Sequence, residues 1–166
     1  MAACLADGET IIGNAAKEPE IENLGNCLIK MGANIRGLGT NSIQIKGEKK
    51  LKGCSFEVMS DRIEAGTFIM SVLGCGGRIR LSLVEHSVKK NLKEIFNFTK
   101  NLIFLDSESF LDVECINPEY NSVNIKTNPY PGFPTDLQAQ LSAVMTKAKG
   151  ISKIEETIFE NRFMHV

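Results

Sequence analysis

The sequence predicts a mixed α/β protein built from repeated units of strand and helix. Four stretches carry apolar residues at helical spacing, and five short runs alternate between apolar and polar residues as half-buried strands do. A glycine followed by a strand-like tetrapeptide recurs at Gly8, Gly77 and Gly150, at intervals of roughly 70 residues. Such spacing indicates one supersecondary unit used repeatedly, in which a small sheet is backed by helices.

The first two predicted helices have ordinary end signals. Pro19 lies near the start of the first and Gly32 at its stop, whereas the second starts at Asp61 and ends before Gly74. The four apolar stripes are, in chain order, Ile21, Leu24, Leu28 and Met31; Ala65, Phe68, Ile69, Val72 and Leu73; Val88, Leu92, Ile95 and Phe96; and Leu137, Leu141, Val144, Met145 and Ala148.

The third helix is predicted to follow Ser87. The fourth begins at Thr135, whose spacing to Gln138 predicts a capping box, and runs to Gly150. The alternating runs predict strands that contain Ile43 and Ile45; Phe56 and Val58; Ile79, Leu81 and Leu83; Leu111 and Val113; and Val123 and Ile125. A boundary between two tightly connected halves is expected near Ser60, where one set of strands ends and the next helix opens.

Composition excludes several classes of function. A chain of 166 residues that is 43% hydrophobic can bury a core, and its net charge of -1 gives no field for nucleic acid or an acidic membrane surface. No apolar run reaches the roughly 20 residues of a membrane span, and the amino terminus lacks the basic region of a secretion signal. The five scattered cysteines form no CxxC pair, so neither a disulfide framework nor a zinc site is expected. These features favour a reducing cytoplasm.

The stretch PYPGFPTDLQAQ is the most unusual segment of the chain. Three prolines and a glycine shape an irregular loop that leads Asp136 into the first turn of a helix, where a carboxylate is readily held in one orientation. Such a carboxylate can accept a hydroxyl proton. Completion of the helix terminus is the simpler interpretation, and spacing alone favours it.

Three further segments offer charged groups for an anionic ligand. In FENRFMHV, Arg162 can bind a phosphate or a carboxylate bidentately, although a solvated surface arginine is the favoured interpretation from the sequence alone. SDRIEAGTF places Asp61 and Arg62 at a helix start, and KEPEIE does the same with Glu18 and Glu20, where capping is the alternative. GxGxxG and GxxxxGK[ST] are absent, and no cofactor or metal ligand set is predicted.

Taken in order, these segments resemble one family. AACLADGETIIGNAAKEPEI, GTNSIQIKG, SDRIEAGTF, PYPGFPTDLQAQ and ETIFENRFMHV are similar, in sequence and spacing, to consecutive blocks of the bacterial UDP-N-acetylglucosamine 1-carboxyvinyltransferases, an enolpyruvyltransferase family. The resemblance covers nearly the whole chain and is weakest from residue 97 to 122. It implies an inside-out α/β barrel, incomplete here, in which residues 1–60 form the last repeat unit of one domain and residues 61–166 about half of the second.

The resemblance also implies roles for individual residues. Asp136 matches the aspartate that contacts the acceptor sugar hydroxyl and deprotonates it, and the backbone of Ile158 matches a contact to the sugar nucleotide. The resemblance places four charged residues along the cleft, where they line or brace it: Asp61, Arg62, Glu18 and Glu20. The implied substrates are UDP-N-acetylglucosamine and phosphoenolpyruvate, and the product is the first committed precursor of peptidoglycan.

The chain also departs from the family pattern. The lysine and asparagine near the family's amino terminus, its loop with the catalytic cysteine and its later arginines have no match here, so the chain is expected to be a central fragment, inactive by itself, whose partner is the remainder of the enzyme. Ser60 and Lys17 replace the usual proline and arginine. A non-catalytic remnant that binds a UDP-sugar weakly, a relative of the shikimate-pathway transferase and an RNA-processing cyclase remain alternatives, the last disfavoured by the neutral charge.

Overall fold

The computed structural model describes residues 1–82 and 85–166, which form two compact units, Met1–Met59 and Ser60–Val166. Leu83, a predicted strand position, lies outside the described residues. Each unit combines an antiparallel sheet with helices. The mixed class predicted from the sequence is therefore confirmed.

The first unit packs one helix on a three-stranded sheet. Its elements are a 3-10 turn at Ala2–Leu5, strand β1 at Glu9–Gly13, helix α1 at Pro19–Lys30, strand β2 at Asn34–Arg36 and strand β3 at Ser42–Lys46. Strand β3 lies in the centre of the sheet and pairs antiparallel with β1 and β2. The core of the unit consists of Cys4, Ala15, Leu28, Ala33, Ile43 and Ile45.

Helix α1 has the ends that the sequence predicts. Pro19 is its first residue, Glu20 and Glu22 lie in its first turn, and Lys30 lies in its last turn, where each charge complements the helix dipole. Gly32 follows with φ of 103°, a left-handed conformation that a glycine adopts without steric cost. Start and stop are both confirmed.

The predicted strand at Phe56 and Val58 is wrong. Residues 47–60 form no regular element, because their backbone is held by α1 rather than by a neighbouring strand. The amide of Lys52 donates to the carbonyl of Met31 at 2.8 Å, and the amide of Met59 donates to the side chain of Asn23 at 3.4 Å. The alternation here does not mark a strand: Phe56 is half-buried, whereas Val58 is 75% exposed.

The second unit is built around a central helix. Its elements are helix α2 at Arg62–Cys75, strand β4 at Gly77–Ser82, helix α3 at His86–Ile95, strand β5 at Ile103–Asp106, strand β6 at Phe110–Cys115, strand β7 at Asn124–Lys126, a 3-10 helix at Thr135–Leu137, helix α4 at Gln138–Met145 and strand β8 at Lys153–Glu155. Strand β6 pairs antiparallel with β4 and β5, whereas β7 and β8 pair in parallel.

Helix α2 packs against α3, α4, β4 and β6. Ile69 and Leu73 of α2 are fully buried, as are Leu137 and Leu141. Gly66 lies where Leu137 approaches: a Cβ at Gly66 would stand 2.7 Å from Leu137 Cδ1. This glycine therefore permits the close packing that fixes the 3-10 helix of residues 135–137 against α2.

Three predicted helix ends differ from the structure. Helix α2 continues through Gly74 and ends at Cys75; Gly76 follows with φ of 76°, and its amide donates to the carbonyl of Val72. Helix α3 begins one residue before Ser87, since the chain is still extended at Glu85. Helix α4 ends at Met145, beyond which tighter turns carry the chain to residue 148.

The predicted capping box of the fourth helix is also wrong. Thr135 begins the 3-10 helix, and its hydroxyl donates to Glu156 at 2.7 Å instead of capping the helix. The side chain of Gln138 donates to Ser142 within α4. Distant partners have displaced the local motif, and strands β2 and β5 are additional elements that the patterns did not predict.

Candidate functional site

A partly buried network around Glu156 joins the PYPGFPTD segment to the chain that follows β8. One oxygen of Glu156 accepts hydrogen bonds from the amides of Ile158 and Phe159, at 2.8 and 3.2 Å, and from the hydroxyl of Thr127 at 3.0 Å. Its other oxygen accepts from the hydroxyl of Thr135 at 2.7 Å. A single carboxylate thus holds together segments that lie 21 to 29 residues apart.

The environment of Glu156 favours its charged form. Burial raises the pKa of this carboxyl, but the donors from Thr135, Ile158, Phe159 and Thr127 together lower it more, and the net pKa lies below the ordinary value. Glu156 therefore stays ionised at neutral pH and keeps all four bonds charge-assisted.

The loop between Thr127 and Thr135 is closed by backbone hydrogen bonds. The amide of Asn128 donates to the carbonyl of Phe133 at 3.0 Å, and the amide of Gly132 donates to the carbonyl of Pro129 at 2.9 Å. The peptide bond between Tyr130 and Pro131 is cis. The loop delivers Thr135 and Asp136 to the edge of the Glu156 network.

Arg162 binds the predicted site carboxylate. Its two terminal nitrogens both lie 3.0 Å from Oδ1 of Asp136, and one of them also donates to the carbonyl of Thr135 at 2.9 Å. The guanidinium stands 5.4 Å from the ring centroid of Phe159. The two residues that the sequence singled out separately therefore form one ion pair, 26 positions apart.

Asp136 keeps one oxygen available. Its side chain is 53% exposed, and within residues 1–82 and 85–166 its only hydrogen-bonding partner is Arg162, which contacts Oδ1. The expectation that helix amides would hold this carboxylate is not met, because its hydrogen bonds come from the guanidinium group of Arg162 instead. The remaining oxygen, Oδ2, can accept a proton from a ligand hydroxyl.

Asp61 and Arg62 have clear structural roles at the start of α2. Oδ1 of Asp61 accepts from the amides of Ile63 and Glu64, at 2.8 and 3.0 Å, so Asp61 is the N-cap of the helix. Arg62 is buried and its guanidinium lies 5.7 Å from the ring centroid of Tyr130, in the PYPGFPTD segment. Arg62 thus connects the start of α2 to the loop that carries Asp136.

Glu18 and Glu20 lie in the first unit, at the start of α1. Glu18 occupies the N-cap position without a side-chain capping bond, and its Oε2 is buried with no hydrogen-bond partner among the described residues. Glu20 is in the first turn. The structure describes these two residues within their own unit, and their predicted role toward a ligand stays a prediction.

A cavity of about 290 Å³ in the second unit lies apart from the predicted residues. Its lining consists of Leu73, Phe98, Thr99, Lys100, Asn101, Tyr120, Asn121, Ser122, Val123 and Met145. Searched over the described ranges, no cluster of three or more His, Cys, Asp or Glu side chains could hold a metal ion. None of the helices in those ranges is both long and apolar enough to cross a membrane.

Sequence reasoning missed Glu156 as the organising residue. A glutamate that follows a strand has no local signature, and its four donors come from three separate segments. The available hint was the pair of threonines that precede and follow the proline-rich loop, since their hydroxyls need buried acceptors.

Comparison with known proteins places this arrangement in a class. The family model described as EPSP synthase (3-phosphoshikimate 1-carboxyvinyltransferase) matches residues 1–166, and the chain belongs to that family. The enolpyruvyl transferase NikO from Streptomyces tendae superposes with a TM-score of 0.78 at 16% identity, over 98% of this chain and 39% of that one. EPSP synthase from Acinetobacter baumannii gives 0.55 at 20% identity, over 92% and 36%. The predicted enolpyruvyltransferase-type fold is confirmed.

Closer relatives share half of the sequence. UDP-N-acetylglucosamine 1-carboxyvinyltransferase 1 of Caldanaerobacter subterraneus subsp. tengcongensis is 50% identical over 168 residues, which cover 100% of this chain and 40% of that protein. UDP-N-acetylglucosamine 1-carboxyvinyltransferase of Shewanella sediminis is 49% identical over 166 residues, with 39% of it covered. The resemblance to these transferases is confirmed, and the chain spans about 40% of their length.

Proposed function

We propose that this chain is part of an enolpyruvyl transferase that moves the enolpyruvyl group of phosphoenolpyruvate to the 3-hydroxyl of UDP-N-acetylglucosamine. The reaction is the first committed step of peptidoglycan precursor synthesis and takes place in the cytoplasm, where it serves cell-wall biogenesis, cell shape and division. Support comes from relatives of that name at about 50% identity. No nucleic acid, membrane, metal or cofactor enters the proposal.

The observation that supports this proposal most directly is the hydrogen bonding of the Asp136 carboxylate. Arg162 holds Oδ1 from two nitrogens at 3.0 Å each, while Oδ2 has no hydrogen-bond partner within the described residues. A base needs one lone pair directed outward and a fixed orientation, and this pairing supplies both. The Glu156 network, through Thr135, keeps the adjoining backbone in place.

In the proposed reaction Asp136 accepts the proton of the sugar hydroxyl. The hydroxyl oxygen forms a bond to C2 of phosphoenolpyruvate while C3 gains a proton, which gives a tetrahedral intermediate. Loss of a proton from C3 and cleavage of the bond between C2 and the phosphate oxygen then restore the double bond and release phosphate. The acid for C3 and the cations for phosphate are assigned to parts of the enzyme outside this chain.

The remaining residues are proposed to shape the site. The amide of Ile158 donates its hydrogen bond to Glu156, so the carbonyl of Ile158 is the backbone group that can contact the sugar nucleotide. Asp61, Arg62, Glu18 and Glu20 line or brace the cleft, and Arg162 orients Asp136. Residues 1–60 are the last repeat unit of one domain and residues 61–166 about half of the second.

A chimera tests the proposal directly. In the Caldanaerobacter relative, the block that matches this chain is replaced by residues 1–166, and phosphate release from phosphoenolpyruvate is measured with and without UDP-N-acetylglucosamine. We expect release only with the sugar nucleotide, and a loss of at least about 100-fold in kcat for Asp136→Ala, in the range of one general-base contribution. Shikimate 3-phosphate serves as the control acceptor.

Two results would count against the proposal. A folded chimera that prefers shikimate 3-phosphate would assign the chain to the other branch of the family, and unchanged turnover in Asp136→Ala would remove the assigned base. Circular dichroism and the unfolding midpoint of each variant separate a lost function from a lost fold.

A non-catalytic remnant is the second candidate, because the chain spans about 40% of its relatives. Calorimetry with UDP-N-acetylglucosamine on the 166-residue chain does not distinguish it from a transferase fragment. Weak or absent binding is expected under both ideas, so the chimera decides: a folded but inactive chimera supports the remnant.

A further inference from the structure

Two cysteines of the first unit lie side by side although 27 positions separate them. Sγ of Cys54 lies 4.0 Å from the carbonyl oxygen of Cys27. Cys27 is half-buried on α1, whereas Cys54 is exposed in the irregular segment 47–60, and both are free thiols.

The approach of the two residues follows from how segment 47–60 crosses α1. The amide of Lys52 donates to the carbonyl of Met31, Sγ of Cys54 contacts the carbonyl oxygen of Cys27, and the amide of Met59 donates to the side chain of Asn23. The segment therefore runs antiparallel to the helix. Asn23, Cys27 and Met31 are spaced by four and form one stripe of α1. Three successive contacts along one stripe place Cys54 beside Cys27, with Sγ of Cys54 next to the Cys27 backbone.

Distances along the two elements agree with this placement. Four helical residues rise by about 6 Å, and two extended residues span about 6.6 Å, so the step from Lys52 to Cys54 matches the step from Met31 to Cys27. Both cysteines are thereby held in register by the hydrogen bonds of Lys52 and Met59, which flank them.

The thiols also interact electrostatically. Burial raises the pKa of the Cys27 thiol, and its hydrogen bond with the Cys54 thiol raises that pKa further, whereas Lys30 acts in the opposite direction. This interaction agrees with the contact of 4.0 Å between Sγ of Cys54 and the carbonyl oxygen of Cys27.

We propose that Cys27 and Cys54 form a dithiol site that closes to an intramolecular disulfide by exchange with a low-molecular-weight disulfide such as oxidised glutathione. This inference does not depend on the proposed transferase activity, since neither cysteine belongs to the site around Asp136.

The exchange takes place in two steps. The exposed thiolate of Cys54 attacks one sulfur of oxidised glutathione and expels a glutathione thiolate, which leaves a mixed disulfide. The thiolate of Cys27 then attacks Sγ of Cys54 and expels the second glutathione. The two protein thiols are oxidised, the glutathione disulfide is reduced, and the two protons released by the protein thiols are taken up by the glutathione thiolates.

Closure pins segment 47–60 to α1. The connection at Cys54 becomes covalent, and local opening of the segment between Gly47 and Met59 then requires the helix to move with it. We expect tryptic cleavage after Lys49, Lys50 and Lys52 to slow at least several-fold in the oxidised chain and to recover after reduction.

Peptide mapping of the 166-residue chain tests the proposal. The chain is equilibrated with oxidised glutathione, free thiols are blocked, and the non-reduced tryptic digest is analysed by mass spectrometry. We expect peptide 18–30 joined to peptide 53–62. Cys54→Ser should abolish this product, and Cys27→Ser should stop the reaction at a glutathione adduct on Cys54.

Cys75→Ser is the matched control, because Cys75 is also an exposed thiol but belongs to the second unit. It should leave the joined peptide unchanged. A wild-type digest in which Cys54 carries only glutathione, or in which Cys54 is joined to Cys75 as readily as to Cys27, would overturn the proposal. The same reaction in concentrated urea gives the distribution of disulfides formed by an unfolded chain. An identical distribution in the native chain would also overturn the proposal.

Discussion

Replacement of Glu156 by glutamine isolates the residue on which the Asp136 segment depends. The amide oxygen of glutamine retains the bonds from Ile158, Phe159 and Thr127, but its NH2 group faces the Thr135 hydroxyl, which already receives Arg162 at 3.3 Å. The hydrogen of that hydroxyl loses its acceptor, and the other three bonds lose their charge assistance.

The magnitude follows from these four bonds. We assign about 0.5 kcal/mol to each of the three retained bonds and about 1 kcal/mol to the bond from Thr135, with allowance for partial exposure to solvent, so the local loss is roughly 2–3 kcal/mol. If the segment opens locally, amide exchange at Ile158 and Phe159 should accelerate by roughly 30- to 150-fold.

Hydrogen exchange followed by NMR on the 166-residue chain measures this effect, with Glu155→Gln as the matched control. Glu155 is the adjacent carboxylate, and it pairs with Lys126 and Lys153 at the surface, where solvent screens such pairs and they contribute little to stability. Unchanged protection of Ile158 and Phe159 in Glu156→Gln, or an equal loss in Glu155→Gln, would refute the reasoning.

The same network predicts a dependence on pH. The pKa of Glu156 in the folded chain is below its ordinary value, so its stabilisation is fully present above the ordinary glutamate pKa of about 4.3 and is lost as the pH falls through the folded-state value. Protection factors at Ile158 and Phe159 should fall over that acidic range in the wild type. In Glu156→Gln they should show no such step.

Two other predictions concern the core of the second unit. Leu137→Ala removes a fully buried side chain that packs against Gly66, and it should lower the free energy of unfolding, measured by urea denaturation, by about 2–5 kcal/mol. The control Leu105→Ala, at a residue 46% exposed, should change this free energy by less than about 1 kcal/mol. Equal losses in the two variants would contradict the packing described. Hydrogen bonds from Arg80 and Arg78 hold the pKa of the buried Asp112 well below its usual range. Asp112→Asn should therefore destabilise the sheet, and the variant should lose less stability in acid than the wild type does. Asp106→Asn, at an exposed pair with Lys93, is the control and should have little effect in the same titration.

Local patterns predicted much of the fold. The stripe and end signals of α1 gave both of its ends, and the alternating pairs in β3, β4, β6 and β7 located those strands. These features depend on residues within a few positions of one another, so their physics is present in the sequence. Where a distant partner competes, the local signal misleads: Thr135 donates to Glu156 rather than capping α4.

Segment 47–60 shows the same limit from another side. Phe56 and Val58 alternate as strand residues do, but a strand needs a neighbouring strand, and here the neighbour is α1. Short strands such as β2, with three residues, carry too little pattern to be recognised, and they exist because β3 supplies their hydrogen bonds.

The sequence by itself determined the mixed fold, the family resemblance and the two candidate residues Asp136 and Arg162, because each has a signature in a contiguous motif. Only the tertiary structure decided that these two residues form an ion pair, that Glu156 accepts a hydrogen bond from the adjoining Thr135, and that Cys54 contacts the backbone of Cys27. Those contacts join positions more than 20 apart, and their geometry depends on how helices and strands pack, which no short-range pattern encodes.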